Sequence, residues 1–210
     1  MKWYKKLAAF LAIMICFSAF LVACDEVPSV AEDEEAETDI NYSDVDISEY
    51  IGEVTYKGLT VQLESESASK EEALWSAILD SAEIKSYPED KVNYYFEQEK
   101  ASYMYLVNGD EDGYEMLLKV RGISEEDMMA DAREMVAKDL IYRLVVQTEG
   151  IALTDEEKDA LFDKYVDKYV QDYGYGKNYV TANMPNIIYE SMLYDKTMEY
   201  LILQNTFITE

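Results

Sequence analysis

The chain has 210 residues, of which 44 are acidic and 18 are basic, and it contains no histidine. Its formal net charge of −26 excludes nucleic acid as a partner, because Lys and Arg supply most of that affinity. The absence of histidine excludes Ser-His-Asp, Cys-His and zinc chemistries. Carboxylate and tyrosine chemistry remain, and we expect no cofactor, no metal and no enzymatic activity.

Residues 1–23 have the organisation of an export signal. Three lysines precede an uncharged run over residues 7–22. This run is shorter than the ~20 apolar residues that a membrane-spanning helix needs, and a short apolar run behind a basic start is typical of a signal peptide. The run ends in Leu-Val-Ala-Cys, with the cysteine at position 24, which resembles the lipobox of bacterial lipoproteins.

The lipoprotein resemblance implies that Cys24 receives a diacylglyceryl thioether and becomes the mature N-terminus. The protein would then lie outside the cytoplasm, anchored to the bacterial cell membrane through the acyl chains of Cys24. An ordinary secretory signal with an incidental cysteine is the alternative. Cys16 would be removed with the signal, so we expect no disulfide. Loss of the signal, with three lysines and no acid, would change the formal charge from −26 to −29.

Residues 24–50 are acidic and poor in large apolar side chains. Such a segment cannot bury enough apolar surface to fold alone, so we predict a flexible linker behind the lipidated cysteine. An acidic binding tail is the alternative. We therefore divide the chain into a signal peptide at 1–23, a linker at 24–50 and one domain at 51–210, which is a natural size for one domain.

The pattern after the linker predicts a mainly α-helical domain with one short β element. Apolar alternation between Val54 and Leu63 predicts a short strand or a small hairpin. Helix-starting residues then precede apolar runs of helical period. The predicted helices cover residues 69 to about 85, 88 to about 107, 114–120, 124–149, 154 to about 173, and 185 to about 206. We predict turns over residues 108–113 and 174–183.

The turn at Asn108–Gly113 resembles the start of an EF-hand calcium loop, in which Asp110 and Asp112 would be ligands. The EF-hand pattern requires a bidentate glutamate at its twelfth position. Here that position is Lys119, which places a cation where the strongest anionic ligand belongs. We therefore interpret the segment as an acidic turn between helices, and calorimetric titration with calcium would test this interpretation.

Aromatic residues crowd two regions, around residues 94–106 and 165–179. Residues 94–96 are consecutive aromatics, and consecutive positions of a helix cannot all face one core. A helix buried on two sides explains this pattern. An apolar groove for unfolded or extended chains explains it equally well, since tyrosine offers a large contact area at low entropic cost.

Four segments carry a family resemblance, in the order YKGLTV, ALWSAILDSAEIKSYPEDKVNYYFEQ, ISEEDMMADAREMVAKDLIYRLVVQTEGIALTDEE and SMLYDKTMEYL. They occupy residues 56–61, 73–98, 123–157 and 191–201. Together they resemble the C-terminal chaperone domain of bacterial trigger factor, a fold related to the peptide-binding helices of SurA- and PrsA-type chaperones. The resemblance implies an irregular multi-helix arm-and-crevice domain with one short β-strand or hairpin.

Two parts of trigger factor lack a counterpart, namely the ribosome-docking domain and the prolyl-isomerase domain. Only residues 62–68 lie where the isomerase domain is inserted in that family. The resemblance therefore implies ATP-independent, transient binding of unfolded or newly secreted polypeptides. The alternatives are an isomerase-related lipoprotein and a partner-binding subunit of a cell-envelope complex. The expected client-binding residues are Tyr95, Tyr103, Leu106, Tyr169 and Tyr173.

Overall fold

The computed structural model describes residues 45–209, so the predicted signal, Cys24 and most of the predicted linker lie outside the described residues. The described part is mainly α-helical, as the sequence predicts, with eight helices and two short strands. In chain order the elements are α1 (Ile47–Tyr50), β1 (Thr60–Leu63), α2 (Lys70–Ser81), α3 (Glu89–Leu106), α4 (Glu111–Arg121), α5 (Glu125–Glu149), α6 (Asp155–Tyr173), α7 (Lys177–Asn183), α8 (Pro185–Leu203) and β2 (Thr206–Thr209). None of the helices within residues 45–209 is long and apolar enough to cross a bilayer.

The helix boundaries follow from local capping chemistry. The Ser69 hydroxyl accepts a hydrogen bond from a backbone N–H of the first turn of α2. Ser124 and Thr154 each form a capping box, in which the hydroxyl and an acidic side chain three residues later satisfy two backbone donors. Gly122 and Gly150 end α4 and α5 in the left-handed region, with φ of 66° and 63°. These features confirm the predicted starts at Ser69, Ser124 and Thr154 and the predicted stops at Gly122 and Gly150. The helix α2, however, ends at Ser81, before the predicted end near residue 85.

Two predicted turns are partly wrong. Residues 174–183 contain the helix α7, which is held in place because Val180 is fully buried. The helix α4 begins inside the predicted turn at 108–113. There the Asp110 carboxylate accepts a hydrogen bond from the Gly113 N–H at 3.1 Å and caps the helix.

The predicted strand β1 forms, but not as part of a hairpin. It pairs in parallel with β2, with Val61 opposite Phe207. The strand β2 occupies the segment where the last helix was expected to fray. Asn205 fixes the approach of the two strands, because its side-chain oxygen accepts the Leu59 N–H at 2.8 Å.

The first described residues fall in the predicted linker, yet they pack against the domain. Ile47 of α1 is 6% exposed and Ile51 is 4% exposed. Ile51 also forms an antiparallel bridge with Ile84. Residues 45–50 therefore belong to the folded body.

Within residues 45–209, the core has one large apolar cluster and two smaller ones. The large cluster, which we call the main core, brings together α1, β1, α2, the start of α3, α5 and the end of α8. The second cluster joins α3, α4 and the start of α5 around Tyr103 and Met128, and forms the α3–α4 lobe. The third joins α6, α7 and the start of α8 around Val166 and Ile188, and forms the α6–α7 lobe. The long helices α5 and α8 each run from the main core into a lobe.

Candidate functional site

The predicted residues of α3 lie in three different environments. Tyr95 is half-buried beside the main core, and its hydroxyl donates to the Asp139 carboxylate of α5 at 2.5 Å. Tyr103 is 2% exposed and fills the centre of the α3–α4 lobe. Its ring has almost no surface to offer a ligand, so its role in this conformation is packing. Leu106, by contrast, is 44% exposed at the end of α3.

The consecutive aromatics of α3 fit a helix that is buried on two sides. Phe96 packs against both the main core and the α3–α4 lobe. The Tyr94 and Tyr95 rings meet edge to face, with centroids 5.8 Å apart. Most of the aromatic side chains of α3 therefore pack where the main core meets the α3–α4 lobe.

The aromatics of the α6–α7 lobe are arranged differently. Four of them gather where α6 ends and α7 begins, and we call Tyr169, Tyr173, Tyr175 and Tyr179 the tyrosine cluster. The Tyr169 and Tyr173 ring centroids are 4.4 Å apart. The Tyr175 ring lies nearly parallel to that of Tyr169, at 6.0 Å, and to that of Tyr179, at 5.8 Å. The structure therefore brings the predicted residues Tyr169 and Tyr173 together, and it places Tyr175 and Tyr179 beside them.

The chain reversal after α6 creates this cluster. Gly174 adopts φ of 75°, a left-handed conformation that ends α6 and turns the chain back. Tyr175 then reaches the ring of Tyr169, which lies six residues earlier in the chain. Burial, followed by the neighbouring phenols, raises the pKa of Tyr169 to about 12. The outermost member of the cluster, Tyr179, is 54% exposed.

A second apolar surface lies on α4. Met116 and Val120 are 68% and 75% exposed and share one helix face with Asp112. Glu115 and Lys119 flank this surface, which we call the α4 outer face. Of the seven large apolar side chains that are exposed among the described residues, four lie within residues 105–120. Exposed apolar surface is therefore concentrated at the α3–α4 lobe.

The α4 outer face was not predicted from the sequence, although the sequence carries a signal for it. Tyr114 and Leu118 form the inward stripe of α4 and are buried. Met116 and Val120 stand two residues further along, close to the opposite side of the helix. When a short helix carries apolar residues on two opposite sides, packing against one core covers only one side. The other side then stays exposed, as it does in α4.

The possible calcium ligands have a structural role in this region. Asp110 caps α4, and Asn108 and Gly109 take the left-handed conformations that the turn requires, with φ of 53° and 78°. Within residues 45–209, no group of three or more Asp, Glu, His or Cys side chains is arranged to hold a metal ion.

Comparisons with protein-family models, with curated proteins and with solved structures found no match to this chain. The resemblances to trigger factor and to bacterial lipoproteins therefore stay predictions from the residues that carry them.

Proposed function

We propose that this protein is a lipid-anchored, extracytoplasmic chaperone-like protein that transiently binds unfolded or newly secreted polypeptides without ATP. The observation that carries the proposal is the exposure of apolar and aromatic surface on both lobes. One lobe presents Met116 and Val120, and the other presents Tyr179 at the edge of the tyrosine cluster.

These two surfaces suit clients of varied sequence. Tyrosine offers a broad, rigid contact area that loses little conformational entropy on binding, and methionine adapts to irregular shapes. The strong negative charge of the remaining surface would keep a client complex soluble.

The anchoring part of the proposal rests on residues outside the described range. Cys24 follows the basic and apolar pattern of an export signal, and acylation there would tether the lobes to the membrane. Replacement of Cys24 by Ala should release the protein from the membrane fraction without unfolding it. Continued membrane retention of the Cys24→Ala protein in the absence of detergent would refute the anchor.

We do not extend the proposal to prolyl isomerisation. The structure places only residues 64–69 between β1 and α2, where the trigger factor family carries its isomerase domain. A partner-binding subunit of an envelope complex remains the second candidate, because the compact α4 outer face would also fit one partner. Recovery of one stoichiometric partner after crosslinking in native membranes would favour that candidate over a chaperone.

The experiment that tests the proposed function is suppression of aggregation. A chemically denatured client is diluted into buffer with the purified protein at several-fold excess, and light scattering is followed without ATP. We expect scattering to fall in proportion to the protein added. Scattering equal to that with an inert acidic protein at the same concentration would refute the proposal.

A further inference from the structure

The oxidisable side chains of the described domain do not include cysteine. The chain has two cysteines, Cys16 and Cys24, and both precede residue 45. An oxidant that meets residues 45–209 therefore encounters tyrosine, tryptophan and methionine. Tyrosine differs from the other two because two neighbouring phenols can be joined covalently after each loses one electron.

The tyrosine cluster has the geometry that such coupling requires. The Tyr169–Tyr173 pair, at 4.4 Å between centroids and an interplanar angle of 37°, is the closest tyrosine pair among the described residues. The Tyr142–Tyr194 pair is 5.5 Å apart and Tyr142 is 7% exposed, so an external oxidant cannot reach that ring readily. At the cluster, the nearly parallel rings of Tyr169, Tyr175 and Tyr179 lead from the interior to a side chain that is 54% exposed.

We propose that the tyrosine cluster is a site of oxidative modification, in which hydrogen peroxide acting through a haem peroxidase joins Tyr169 to Tyr173 by an intramolecular dityrosine bond. Each phenol gives up one electron and one proton. The two phenoxyl radicals form a carbon–carbon bond between ring positions ortho to the oxygens, and the two displaced ring hydrogens return to the oxygens. The two electrons and two protons reduce one hydrogen peroxide to two waters.

The bond would change the lobe in a defined way. Both residues lie in the last turns of α6, four positions apart on one helix face. A covalent link between their rings closes that turn and fixes both side-chain orientations. The end of α6 could then no longer fray, and the two rings could no longer rearrange around a ligand. The inference goes beyond the proposed function and does not depend on it.

The test uses the full-length protein in detergent micelles, at a concentration low enough to disfavour contact between chains, with hydrogen peroxide and a haem peroxidase. Cleavage after Lys168 and Lys177 leaves Tyr169, Tyr173 and Tyr175 in one peptide, residues 169–177. We expect this peptide to lose two hydrogen atoms and to give no fragment ions between positions 169 and 173. Dityrosine fluorescence should appear in a product of monomer mass.

The variant Tyr173→Phe keeps the ring, and circular dichroism checks that it keeps the fold. We expect its dityrosine fluorescence to fall to the level seen without peroxidase, and Tyr169→Phe to behave in the same way. Tyr95→Phe, which alters an aromatic pair on α3, should retain the full yield. Dityrosine that survives in Tyr173→Phe, that maps to other residues or that occurs only between chains would overturn the assignment, as would the absence of dityrosine.

Discussion

The Tyr200 hydroxyl of α8 donates a hydrogen bond to the Glu149 carboxylate at the C-terminal end of α5, at 2.5 Å. Tyr56 and Lys57, which precede β1, each reach the other oxygen of the same carboxylate at 2.7 Å. Three separate parts of the chain therefore meet at one acidic side chain. Lys57, Tyr200 and Tyr56, in that order of effect, lower the pKa of Glu149 from its ordinary value of 4.5 to about 2.

This pKa predicts a loss of stability in acid. In the unfolded chain Glu149 takes up a proton near pH 4.5, whereas in the fold it stays ionised to about pH 2. Between these values the unfolded chain binds more protons, so the contribution of Glu149 to stability is complete above pH 4.5 and disappears as the pH falls towards 2. We expect Glu149→Gln to be less stable at neutral pH and to show a shallower loss over this window.

Urea unfolding followed by Trp75 fluorescence measures this difference, because the only other tryptophan, Trp3, lies in the predicted signal. Glu115→Gln is the matched control, since Glu115 is exposed on α4 and should leave the curve unchanged. If the free energy of unfolding depends on pH in the same way in the wild-type protein and in Glu149→Gln, the ionised Glu149 carboxylate does not contribute to stability as predicted.

The sequence alone could not have revealed Glu149. A glutamate in the last turn of a helix is unfavourable to the helix dipole, which is a weak signal that a cation or donor lies nearby. The donors come from segments 92 and 93 residues earlier and 51 residues later, so they are set by tertiary packing. The caps at Ser124 and Thr154 could be predicted because both partners lie within three residues.

The difference between local and long-range contacts also explains why β2 and α7 were not predicted from the sequence. β2 has only four residues, and its pairing with β1 joins segments at opposite ends of the described domain. The helix α7 has seven residues, too few to be stable in isolation, and it depends on the burial of Val180 in the α6–α7 lobe. At the candidate site, sequence could locate the aromatic regions. It could not separate the buried Tyr103 from the exposed Tyr179, because burial depends on which helix packs against each ring.

Asn205 should be a sensitive position for the joining of the two strands. Its side chain accepts the Leu59 N–H at 2.8 Å and donates to the carbonyls of Tyr56 and Leu201 at 3.0 and 2.7 Å. Asn205→Ala leaves these partly buried backbone groups without that partner, and we expect a loss of about 1–3 kcal/mol in the free energy of unfolding. Hydrogen exchange of the Leu59 amide should also accelerate. The exposed neighbour variant Gln204→Ala should change neither quantity, and an equal effect of both variants would contradict this role.

The main core should be intolerant of lost volume at its centre. Leu140 of α5 is fully buried, whereas Leu203 at the end of α8 is 81% exposed. We expect Leu140→Ala to lower the free energy of unfolding by about 2–5 kcal/mol, because it removes buried methyl groups and leaves a cavity. Leu203→Ala should stay within about 0.5 kcal/mol of the wild-type protein. Urea denaturation of both variants checks the contrast, and similar losses would mean that the burial assigned to α5 is wrong.

The capping box at the start of α6 should contribute to the stability of the α6–α7 lobe. The Thr154 hydroxyl accepts the Glu157 N–H at 3.2 Å, and the Glu157 carboxylate accepts the Thr154 N–H at 2.8 Å. We expect Thr154→Ala to cost about 1 kcal/mol and Thr154→Ser to restore most of it, since serine keeps the hydroxyl. Faster hydrogen exchange confined to the first turn of α6 in Thr154→Ala would be the local signature. Unchanged exchange there would contradict the capping role.

The α4 outer face gives the most direct test of how the proposed chaperone function maps onto the structure. Met116→Ser together with Val120→Ser removes apolar surface that is exposed in the fold, so stability should change by no more than about 0.5 kcal/mol for each residue. Suppression of client aggregation should nevertheless weaken, because the apolar contact with the client is lost. Leu203→Ser, which alters an exposed leucine away from both lobe surfaces, is the matched control and should suppress aggregation as well as the wild-type protein. If the α4 double variant suppresses aggregation as well as the control and the wild-type protein do, client binding lies elsewhere. Tyr179→Ser in the tyrosine cluster then becomes the deciding variant.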